Sequence, residues 1–247
     1  MSEHPARSRL DRELPARGLA RSRSQATELI RSGRVRVGGA VVTKTSTPVG
    51  PGDQIQVETD PWVSRAAHKL LGALDESGVP VGARVLDAGA STGGFTQVLL
   101  SRGARQVYAV DVGHDQLAWQ LRTDPRVRDL EGVNLRELTL GHVDGQPVDM
   151  AVGDVSFISL RLVIAPILGV LSPDATALLL VKPQFEVGRQ RLGAHGVVTR
   201  EADREWAVHQ VLDEAARLGW DCFWQAPSRL PGPAGSIEFF IGLRRAR

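Results

Sequence analysis

The first 60 residues combine short helical patterns with one strongly alternating segment. Leu10 and Leu14 lie four residues apart, which places both side chains on one face of a helix. The stretch "SRSQATELIRSG" predicts a second helix, because Ser22 and Gln25 are spaced as in a capping box and Gly33 supplies a stop. In "RVRVGGAVV", polar and apolar residues alternate around a Gly-Gly turn, which is typical of a β-hairpin. The pattern therefore predicts a small α+β module.

From residue 84 onward, strand patterns alternate with helix patterns. "ARVLDAG", "QVYAVDVG", "QPVDMAVGDVSF" and "ATALLLVKP" are predicted strands, and "GGFTQVLLSRG" is a predicted helix. We assign the inward face of the long helix in "READREWAVHQVLDEAARLG" to Trp206, Leu212, Ala215 and Leu218. "WDCFWQA" and "SIEFFIGLRR" then form a predicted terminal hairpin. This order is typical of an α/β fold with a mostly parallel sheet, helices on both faces and one antiparallel strand near an edge.

A stretch rich in proline and glycine separates the two patterns. We predict domains at residues 1–57 and 65–247, joined by a linker at residues 58–64. The segment "SRAAHKLLGALDESG" at the start of the second domain predicts a helix with Ser64 as its N-cap and Gly78 as its stop. Lys69 lies near the middle of this helix.

Composition narrows the class of protein. The 247 residues include a single cysteine, which excludes an intramolecular disulfide and argues against a cysteine-based metal site. His and Cys residues form no cluster, so no metal is expected. No apolar run approaches the ~18 residues that span a bilayer, and the N-terminus has no apolar segment of a secretory signal. A cytoplasmic location without membrane association is therefore the expectation.

Positive charge is concentrated at the N-terminus: residues 1–50 hold ten Lys and Arg against four Asp and Glu. Such a basic region indicates a polyanionic partner, most often nucleic acid, although a solvated arginine-rich surface is the alternative. Helix and hairpin can together present arginines to a phosphate backbone. A later loop, after "LVKP", supplies two more basic residues that a solvated loop would equally explain. The candidate nucleic-acid-binding residues are Arg9, Arg21, Arg23, Arg34, Arg36, Lys44, Arg65, Arg189 and Arg191.

A glycine-rich turn, "LDAGASTGGFT", joins a predicted strand to a helix. Its glycines do not have the G-x-G-x-x-G spacing of a dinucleotide site, and no Walker A lysine follows them. Asp87 precedes the turn, where a carboxylate would repel a pyrophosphate and would suit a ligand with an amino group. Asp111 ends the next strand, where a carboxylate can accept hydrogen bonds from ribose hydroxyls.

These features resemble the S-adenosylmethionine site of class I methyltransferases. The resemblance implies S-adenosylmethionine as cofactor and a Rossmann-like fold with seven strands, mostly parallel with one antiparallel strand. Phe157 is included as a cover for the cofactor, its alternative being an ordinary core aromatic. The candidate cofactor-binding residues are Asp87, Gly89, Ser91, Gly93, Gly94, Phe95, Asp111, Asp154 and Phe157.

The chain contains only three lysines, and Lys182 ends an apolar strand pattern. An ammonium group acts as a point charge and can change protonation state, whereas a guanidinium cannot, and ligands bind at strand ends of α/β sheets. Chance retention of a lysine in an arginine-rich chain is the alternative. Asp154 ends the preceding strand and Glu238 begins the last one. Lys69 taken alone is most simply an exposed helix lysine.

Lys69, Asp154, Lys182 and Glu238 resemble the catalytic K-D-K-E tetrad of FtsJ-like ribose 2′-O-methyltransferases. "RLDREL" and "GLARSRSQATELIRSGRVRVGG" resemble the S4 RNA-binding domain. With "GDVSFISL", "LVKPQFEVG" and "LPGPAGSIEFF", the whole chain resembles the TlyA family. This resemblance implies 2′-O-methylation of cytidine in 16S or 23S rRNA or both, ribosomal subunits as partners, and altered susceptibility to capreomycin- and viomycin-type antibiotics.

The resemblance leaves several points open. Lys182 could accept the hydroxyl proton if neutral, or stabilise an alkoxide if charged, while Asp154 and Glu238 orient the two lysines. Some family members carry the name haemolysin, so a membrane-damaging protein is one alternative; a non-catalytic ribosome-assembly factor is another. The chain also has Asp60-Pro61-Trp62-Val63 where the family often has Arg-x-Trp-Val. A monomer is expected.

Overall fold

The computed structural model describes residues 7–58, 60–232 and 235–246. They form two compact units that divide between Pro61 and Trp62. Within the described residues, no helix combines the length and the apolar character needed to cross a bilayer.

The first unit contains two helices and five short strands. Its elements are β1 (Ser8–Arg9), α1 (Leu10–Ala16), α2 (Arg23–Arg31), β2 (Val35–Val37), β3 (Ala40–Val41), β4 (Pro48–Val49) and β5 (Ile55–Val57). β2 pairs antiparallel with both β3 and β5, and β1 pairs antiparallel with β4. The predicted hairpin is confirmed. Its own small core consists of Leu10, Leu14, Ala26, Ile30, Val35 and Val49.

The predicted boundaries of α2 are also confirmed. Ser22 Oγ accepts a hydrogen bond from the Gln25 N–H at 3.2 Å, so Ser22 caps the helix. The Gln25 side chain reaches one residue further back, to the N–H of Arg21 at 2.7 Å. Gly33 follows the C-cap with a φ of +74°, a conformation that glycine adopts without steric cost.

The second unit is built around one seven-stranded sheet. Its elements are α3 (Ala66–Ser77), β6 (Arg84–Ala88), α4 (Gly94–Ser101), β7 (Gln106–Val110), α5 (Trp119–Arg122), β8 (Val127–Leu130), β9 (Val148–Gly153), α6 (Ile164–Gly169), β10 (Leu171–Val181), α7 (Pro183–Glu186), α8 (Glu201–Arg217), β11 (Trp220–Pro227) and β12 (Phe239–Arg245). The strand order is β11-β12-β10-β9-β6-β7-β8, and β12 is antiparallel to both of its neighbours. The expected mostly parallel sheet with an antiparallel strand beside an edge is confirmed.

The sheet is buried on both faces, which explains why its central strands are almost entirely apolar. Alternate residues of β10 divide between the two faces: Leu179 packs in the core that includes α6 and α8, and Leu178 in the core that includes α3 and α4. This sandwich fixes the carboxyl ends of the parallel strands at one edge, where candidate residues collect.

Two details differ from the predictions. The short strand β8 was not predicted, because "VRDL" has too few apolar residues to stand out from a loop. The inward face of α8 was predicted correctly only in part: Ala215 is buried and Leu212 and Trp206 are partly buried, whereas Leu218 is exposed. Val208 and Val211 are buried residues that were not predicted.

Candidate active site

Five candidate side chains belong to elements that end or begin at one edge of the sheet. The parallel strands β7, β9 and β10 are followed directly by Asp111, Asp154 and Lys182, respectively. Glu238 immediately precedes β12, and since that strand runs antiparallel, its beginning lies at the same edge. Lys69 comes from α3, which packs on this side of the sheet.

The four candidate catalytic residues form one chain of alternating charges. Lys69 Nζ donates to Glu238 Oε2 at 2.6 Å and lies 3.7 Å from Asp154 Oδ2. Asp154 Oδ1 lies 2.5 Å from Lys182 Nζ. Lys69 and Lys182 are only 5% and 7% exposed, and Glu238 is fully buried. Two cations paired with two anions make this burial tolerable, since an unpaired buried charge is strongly destabilising.

The surroundings of Lys69 decide against an exposed helix lysine. α3 begins at Ala66, one residue later than a Ser64 N-cap would require, although Ser64 Oγ accepts from the Ala66 N–H at 3.2 Å. The helix ends as predicted at Gly78, whose φ is +67°. Between these ends Lys69 is on the face that packs against the sheet, so its ammonium group meets Glu238 and not solvent.

Lys182 has a further partner that the sequence did not predict. Its Nζ lies 2.5 Å from Ser156 Oγ and 3.5 Å from the carbonyl oxygen of Asp154. Ser156 is exposed and lines a cavity together with Asp154 and Lys182. The same cavity is lined by the glycine-rich turn, at Gly89, Ala90, Ser91, Thr92, Gly94 and Phe95. The charged chain and the predicted cofactor turn therefore open into one space.

The turn requires glycine at two points. Gly89 has a φ of +83°, and a Cβ there would lie 3.2 Å from Val155 Cα. Gly93 has a φ of +93°, and a Cβ there would lie 2.3 Å from Leu121 Cδ1. Side chains at these positions would strain the backbone and displace its neighbours. Phe95 touches the cavity but is mainly a core residue, with its ring centroid 6.2 Å from that of Phe240.

Asp111 is held by backbone hydrogen bonds. Its Oδ2 accepts from the Ser91 N–H at 2.9 Å and its Oδ1 accepts from the Gly113 N–H at 2.8 Å. A carboxylate oxygen has two acceptor sites, so each oxygen can accept one more hydrogen bond. An oriented carboxylate with free acceptor sites suits the two hydroxyls of a ribose. Asp111 therefore fits the ribose of a nucleoside cofactor.

Asp87 lies beneath the turn and not in the cavity lining. Thr96 Oγ1 of α4 donates to Asp87 Oδ2 at 2.6 Å, and among the described residues Asp87 Oδ1 has no hydrogen-bond partner. The pKa of Asp87 is raised to about 7, chiefly by burial; the charges of Asp154 and Asp111 also raise it, and the hydrogen bonds from Thr96 partly offset this increase. The contact of Asp87 is thus with the start of α4.

This pKa predicts a pH-dependent stability. In the folded chain the carboxyl holds its proton more tightly than when unfolded, so its stabilising contribution is complete at acidic pH and is lost as pH rises through about 7. We expect Asp87→Asn to raise the free energy of unfolding at pH 8 relative to the wild type, and to change it much less at pH 5. A shift of this size corresponds to at most about 4 kcal/mol. Urea titrations of both proteins at both pH values measure it, and an equal effect at both would contradict it.

Phe157 is neither a core aromatic nor part of the cavity lining. Its side chain is 92% exposed, its φ is +64°, and its ring centroid lies 5.6 Å from that of Phe185. A left-handed backbone conformation is rare for a bulky residue. The core alternative is therefore wrong, and the interpretation as a cofactor cover stays a prediction.

In the first unit, two predicted RNA-binding arginines share one buried carboxylate. Arg9 Nε lies 3.0 Å from Asp11 Oδ1, and Arg23 Nη2 lies 2.8 Å from Asp11 Oδ2. The hydrogen bond from Arg9, followed by that from Arg23, lowers the pKa of Asp11 to about 2. Both arginine side chains remain about half exposed, so they are fixed in place without being withdrawn from solvent.

The other predicted RNA-binding residues of this unit lie at its surface. Arg21 and Lys44 are exposed. Arg34 Nη2 lies 3.2 Å from Asp60 Oδ2, and Arg36 Nε lies 3.5 Å from Glu58 Oε1. Asp60 stands where the family often has a basic residue, and it therefore partly neutralises the charge of Arg34, a candidate phosphate-binding residue.

The predicted basic residues of the second unit differ in their availability. Arg65 is exposed and donates to the carbonyl oxygen of Pro231. Arg189 is exposed. Arg191 Nη1 lies 3.3 Å from Asp203 Oδ1, and the central guanidinium carbon of Arg191 lies 4.3 Å from the centroid of the Trp206 ring. Because of these contacts within the second unit, Arg191 is less available to a ligand. Contact of these arginines with RNA remains a prediction.

Comparison with known proteins assigns both units. The FtsJ-like methyltransferase model matches residues 62–245, and the S4 domain model matches residues 8–55. The chain is 51% identical to the 16S/23S rRNA (cytidine-2′-O)-methyltransferase TlyA of Mycobacterium tuberculosis, over 96% of this chain and 90% of that protein. The chain belongs to the TlyA family. It is also 36% identical to Hemolysin A of Brachyspira hyodysenteriae, over 94% of this chain and 97% of that protein.

A solved structure supports the fold assignment of the TlyA family's larger unit. The S-adenosylmethionine dependent methyltransferase from Mesorhizobium loti aligns with a TM-score of 0.54 at 16% identity, over 72% of this chain and 98% of that one. At this identity the likeness concerns the fold alone. Among residues 7–58, 60–232 and 235–246, no His, Cys, Asp and Glu side chains are grouped to hold a metal ion.

A buried carboxylate joins the two loops that carry the charged chain in this TlyA family member. Glu186 of α7 accepts from Ser159 Oγ at 2.6 Å and from the Leu160 N–H at 2.7 Å, and it lies 3.3 Å from Arg161 Nε. α7 directly follows Lys182, and the Ser159 loop directly follows Asp154 and Ser156. Glu186 was not predicted, since nothing in "KPQFE" distinguishes a buried acid from an exposed one.

Because Glu186 fixes one loop against the other, its removal should misplace the groups around Lys182. We expect Glu186→Ala and Glu186→Gln to lower the turnover number by about 10- to 100-fold, the cost of roughly 1 Å of displacement, and to leave cofactor affinity unchanged. Steady-state kinetics and calorimetry measure the two quantities. Asp203→Asn is the control, because that buried acid lies on α8 and pairs with Arg191 and Arg200. Normal turnover by folded Glu186→Ala would contradict this role.

Proposed function

We propose that this chain uses S-adenosylmethionine to methylate the 2′-oxygen of a cytidine ribose in 16S rRNA, 23S rRNA or both. The observation that carries the proposal is the shared cavity, in which the Asp154–Lys182 pair adjoins the glycine-rich turn, while Lys69, paired with Glu238, lies 3.7 Å from Asp154. The TlyA family relationship supports the same reaction. Accordingly, the chain is an enzyme with two functional parts.

The cofactor is held by the turn and by Asp111. When bound, it supplies a methyl group on a positively charged sulfur, which is already activated for transfer to an oxygen. Asp111 accepts hydrogen bonds from the ribose hydroxyls of the cofactor, at the acceptor sites that the N–H groups of Ser91 and Gly113 leave free. Gly89 and Gly94 line the cavity, and the positive φ of Gly89 and Gly93 gives the turn a conformation that other residues would adopt only with strain.

The charged residues act on the hydroxyl that is methylated. A ribose hydroxyl is a weak nucleophile at neutral pH, so the site must orient it and accept its proton. Lys182 is the basic group that lines the cavity, and in its neutral form it is the final proton acceptor. Asp154 fixes Lys182, and Glu238 fixes Lys69 beside Asp154.

RNA recognition falls to residues 1–57, and the chemistry to residues 65–247, with residues 58–64 as linker. Arg9 and Arg23, oriented by Asp11, present two half-exposed guanidinium groups to phosphate oxygens. Ribosomal subunits are the substrate, the enzyme acts in the cytoplasm as a monomer, and loss of the methylation weakens capreomycin- and viomycin-type antibiotics.

Asp111 gives a direct test of the cofactor assignment. We expect Asp111→Ala to weaken S-adenosylmethionine binding by about 1–3 kcal/mol, because two hydrogen bonds to a charged acceptor are lost. Isothermal calorimetry with the purified protein measures this. Asp75→Ala is the control, since Asp75 pairs with Arg102 at the surface. Unchanged affinity of the Asp111 variant would count against the site.

The function itself is tested by transfer of a labelled methyl group. Purified protein, labelled S-adenosylmethionine and isolated 30S or 50S subunits should yield labelled rRNA, and subunits from a strain already carrying the modification should not. The same preparation should release no dye from lipid vesicles. Vesicle leakage without RNA labelling would favour the membrane-damaging alternative, and RNA binding without labelling would favour the assembly factor.

A further inference from the structure

Lys182 lines the cavity but is nearly buried, so its ammonium group is surrounded mainly by oxygens of the protein. Three oxygens surround its Nζ: Asp154 Oδ1 at 2.5 Å, Ser156 Oγ at 2.5 Å and the Asp154 carbonyl oxygen at 3.5 Å. Ser156 Oγ and the Asp154 carbonyl oxygen accept hydrogen bonds from this group, and Asp154 Oδ1 is its ion-pair partner. With a residue exposure of only 7%, Lys182 presents little of its own surface to the cavity, so an oxygen beside its Nζ can carry a proton between the two.

The chemistry of the three partners singles out Ser156. In neutral Lys182, two hydrogens and one lone pair point toward the same oxygens. The ionised carboxylate and the carbonyl of Asp154 can only accept hydrogen bonds, so they must take the two hydrogens. The lone pair then faces Ser156 Oγ, whose hydroxyl is the one partner that has a proton to give.

Ser156 is also the partner that reaches the cavity. Both residues line the cavity, but Ser156 is exposed whereas Lys182 is nearly buried. Its position is fixed from both sides. Lys182 holds the hydroxyl, and Glu186 holds Ser159 and Leu160 a few residues further along the same loop.

We propose that Ser156 is a further catalytic residue, whose hydroxyl relays the proton of the ribose 2′-hydroxyl to Lys182. This inference rests on the proposed methyl transfer. The 2′-oxygen forms a bond to the methyl carbon while the carbon–sulfur bond breaks and leaves its electron pair on sulfur. The 2′-proton passes to Ser156 Oγ, the Ser156 proton passes to Lys182 Nζ, and Lys182 ends as an ammonium group.

Three variants separate a relay from a merely structural serine. Ser156→Ala should lower the single-turnover rate on ribosomal subunits by about 10- to 100-fold, toward the lower end of what general acid–base catalysis contributes, because water can replace a hydroxyl in part. Ser156→Thr keeps a hydroxyl and should stay within a few-fold of the wild type. Ser101→Ala is the matched control, since Ser101 Oγ donates to the Val98 carbonyl oxygen within α4.

Solvent isotope effects report the relay itself. In mixtures of H₂O and D₂O, the single-turnover rate of the wild type should follow a curve that requires two protons in motion. The Ser156→Ala curve should have a different shape and a smaller overall effect. A structural role would lower the rate without changing this dependence.

The small number of lysines permits a test on the free protein. Labelling with ¹⁵N-lysine gives only three Nζ signals, from Lys44, Lys69 and Lys182. Ser156→Ala should move the Lys182 signal and leave that of Lys44 in place. An unmoved Lys182 signal would overturn the contact on which the proposal rests.

The kinetic outcomes are equally decisive. Full activity of Ser156→Ala, or equal losses in the Ala and Thr variants, would overturn the relay. If the wild type and Ser101→Ala label no ribosomal RNA, the proposed function fails, whereas the Lys182 signal still tests whether Ser156 and Lys182 interact.

Discussion

Lys182→Arg should abolish methyl transfer while leaving the fold and cofactor binding intact. Arginine keeps the positive charge beside Asp154, so the buried carboxylate stays paired and stability is preserved. A guanidinium group cannot lose its proton and therefore cannot accept one from the hydroxyl. Its planar fork is also larger than an ammonium group and would displace the reacting oxygen, and ~1 Å of misplacement can cost about 100-fold.

Loss of the proton acceptor and displacement of the reacting oxygen together predict a decrease in single-turnover rate of at least about 1,000-fold. Calorimetry should find unchanged affinity for S-adenosylmethionine, and thermal denaturation should find a midpoint close to that of the wild type. Arg102→Lys, at an exposed pair with Asp75, is the control for exchanging the two cations. Near-normal turnover of Lys182→Arg would refute the role of Lys182 as proton acceptor.

Removal of residues 1–57 should abolish activity on ribosomal subunits and spare cofactor binding. The first unit has a hydrophobic core of its own, and the described residues that line the cavity belong to the second unit. Electrostatic contact with phosphates supplies much of the affinity for RNA, so the truncated chain should lose at least about 100-fold in activity at physiological salt. A truncated protein that methylates subunits at the normal rate would contradict this division of labour.

A point variant of the full chain tests the same surface without truncation. Arg21 is exposed and should contact phosphate, so Arg21→Ala should lower the salt dependence of RNA binding by about one unit of logarithmic slope. Arg17 is the control, because it pairs with Glu13 and donates to the carbonyl oxygens of Gly50 and Asp53. Its replacement should affect stability and not the slope.

The sequence predicted the charged chain because the topology of the sheet places most of its residues at one edge. Parallel strands end at one edge, so residues that follow them, such as Asp154 and Lys182, must lie near one another. The antiparallel last strand brings Glu238 to the same edge. The place of Lys69 came from the family resemblance, since a helix lysine has no local signal of burial.

Other features depend on packing that no local pattern encodes. Ser156, Glu186 and Asp11 act through partners distant in sequence or through burial, and none stands out from its neighbours along the chain. Asp87 was expected at the ligand; its carboxyl accepts a hydrogen bond from Thr96 of α4, and contact with the cofactor stays a prediction. Local periodicity therefore predicted which residues lie at the sheet edge, and not which of them face the cavity.

The central claim is that this chain methylates a ribose 2′-oxygen of cytidine in ribosomal RNA. Isolated 30S and 50S subunits should be incubated with S-adenosylmethionine and either the wild type or Lys182→Arg. Their rRNA should then be digested to nucleosides and examined by mass spectrometry. We expect 2′-O-methylcytidine to rise toward one residue per target subunit with the wild type and to stay at background with the variant. Methylation of a base, or equal 2′-O-methylcytidine with both proteins, would contradict the account.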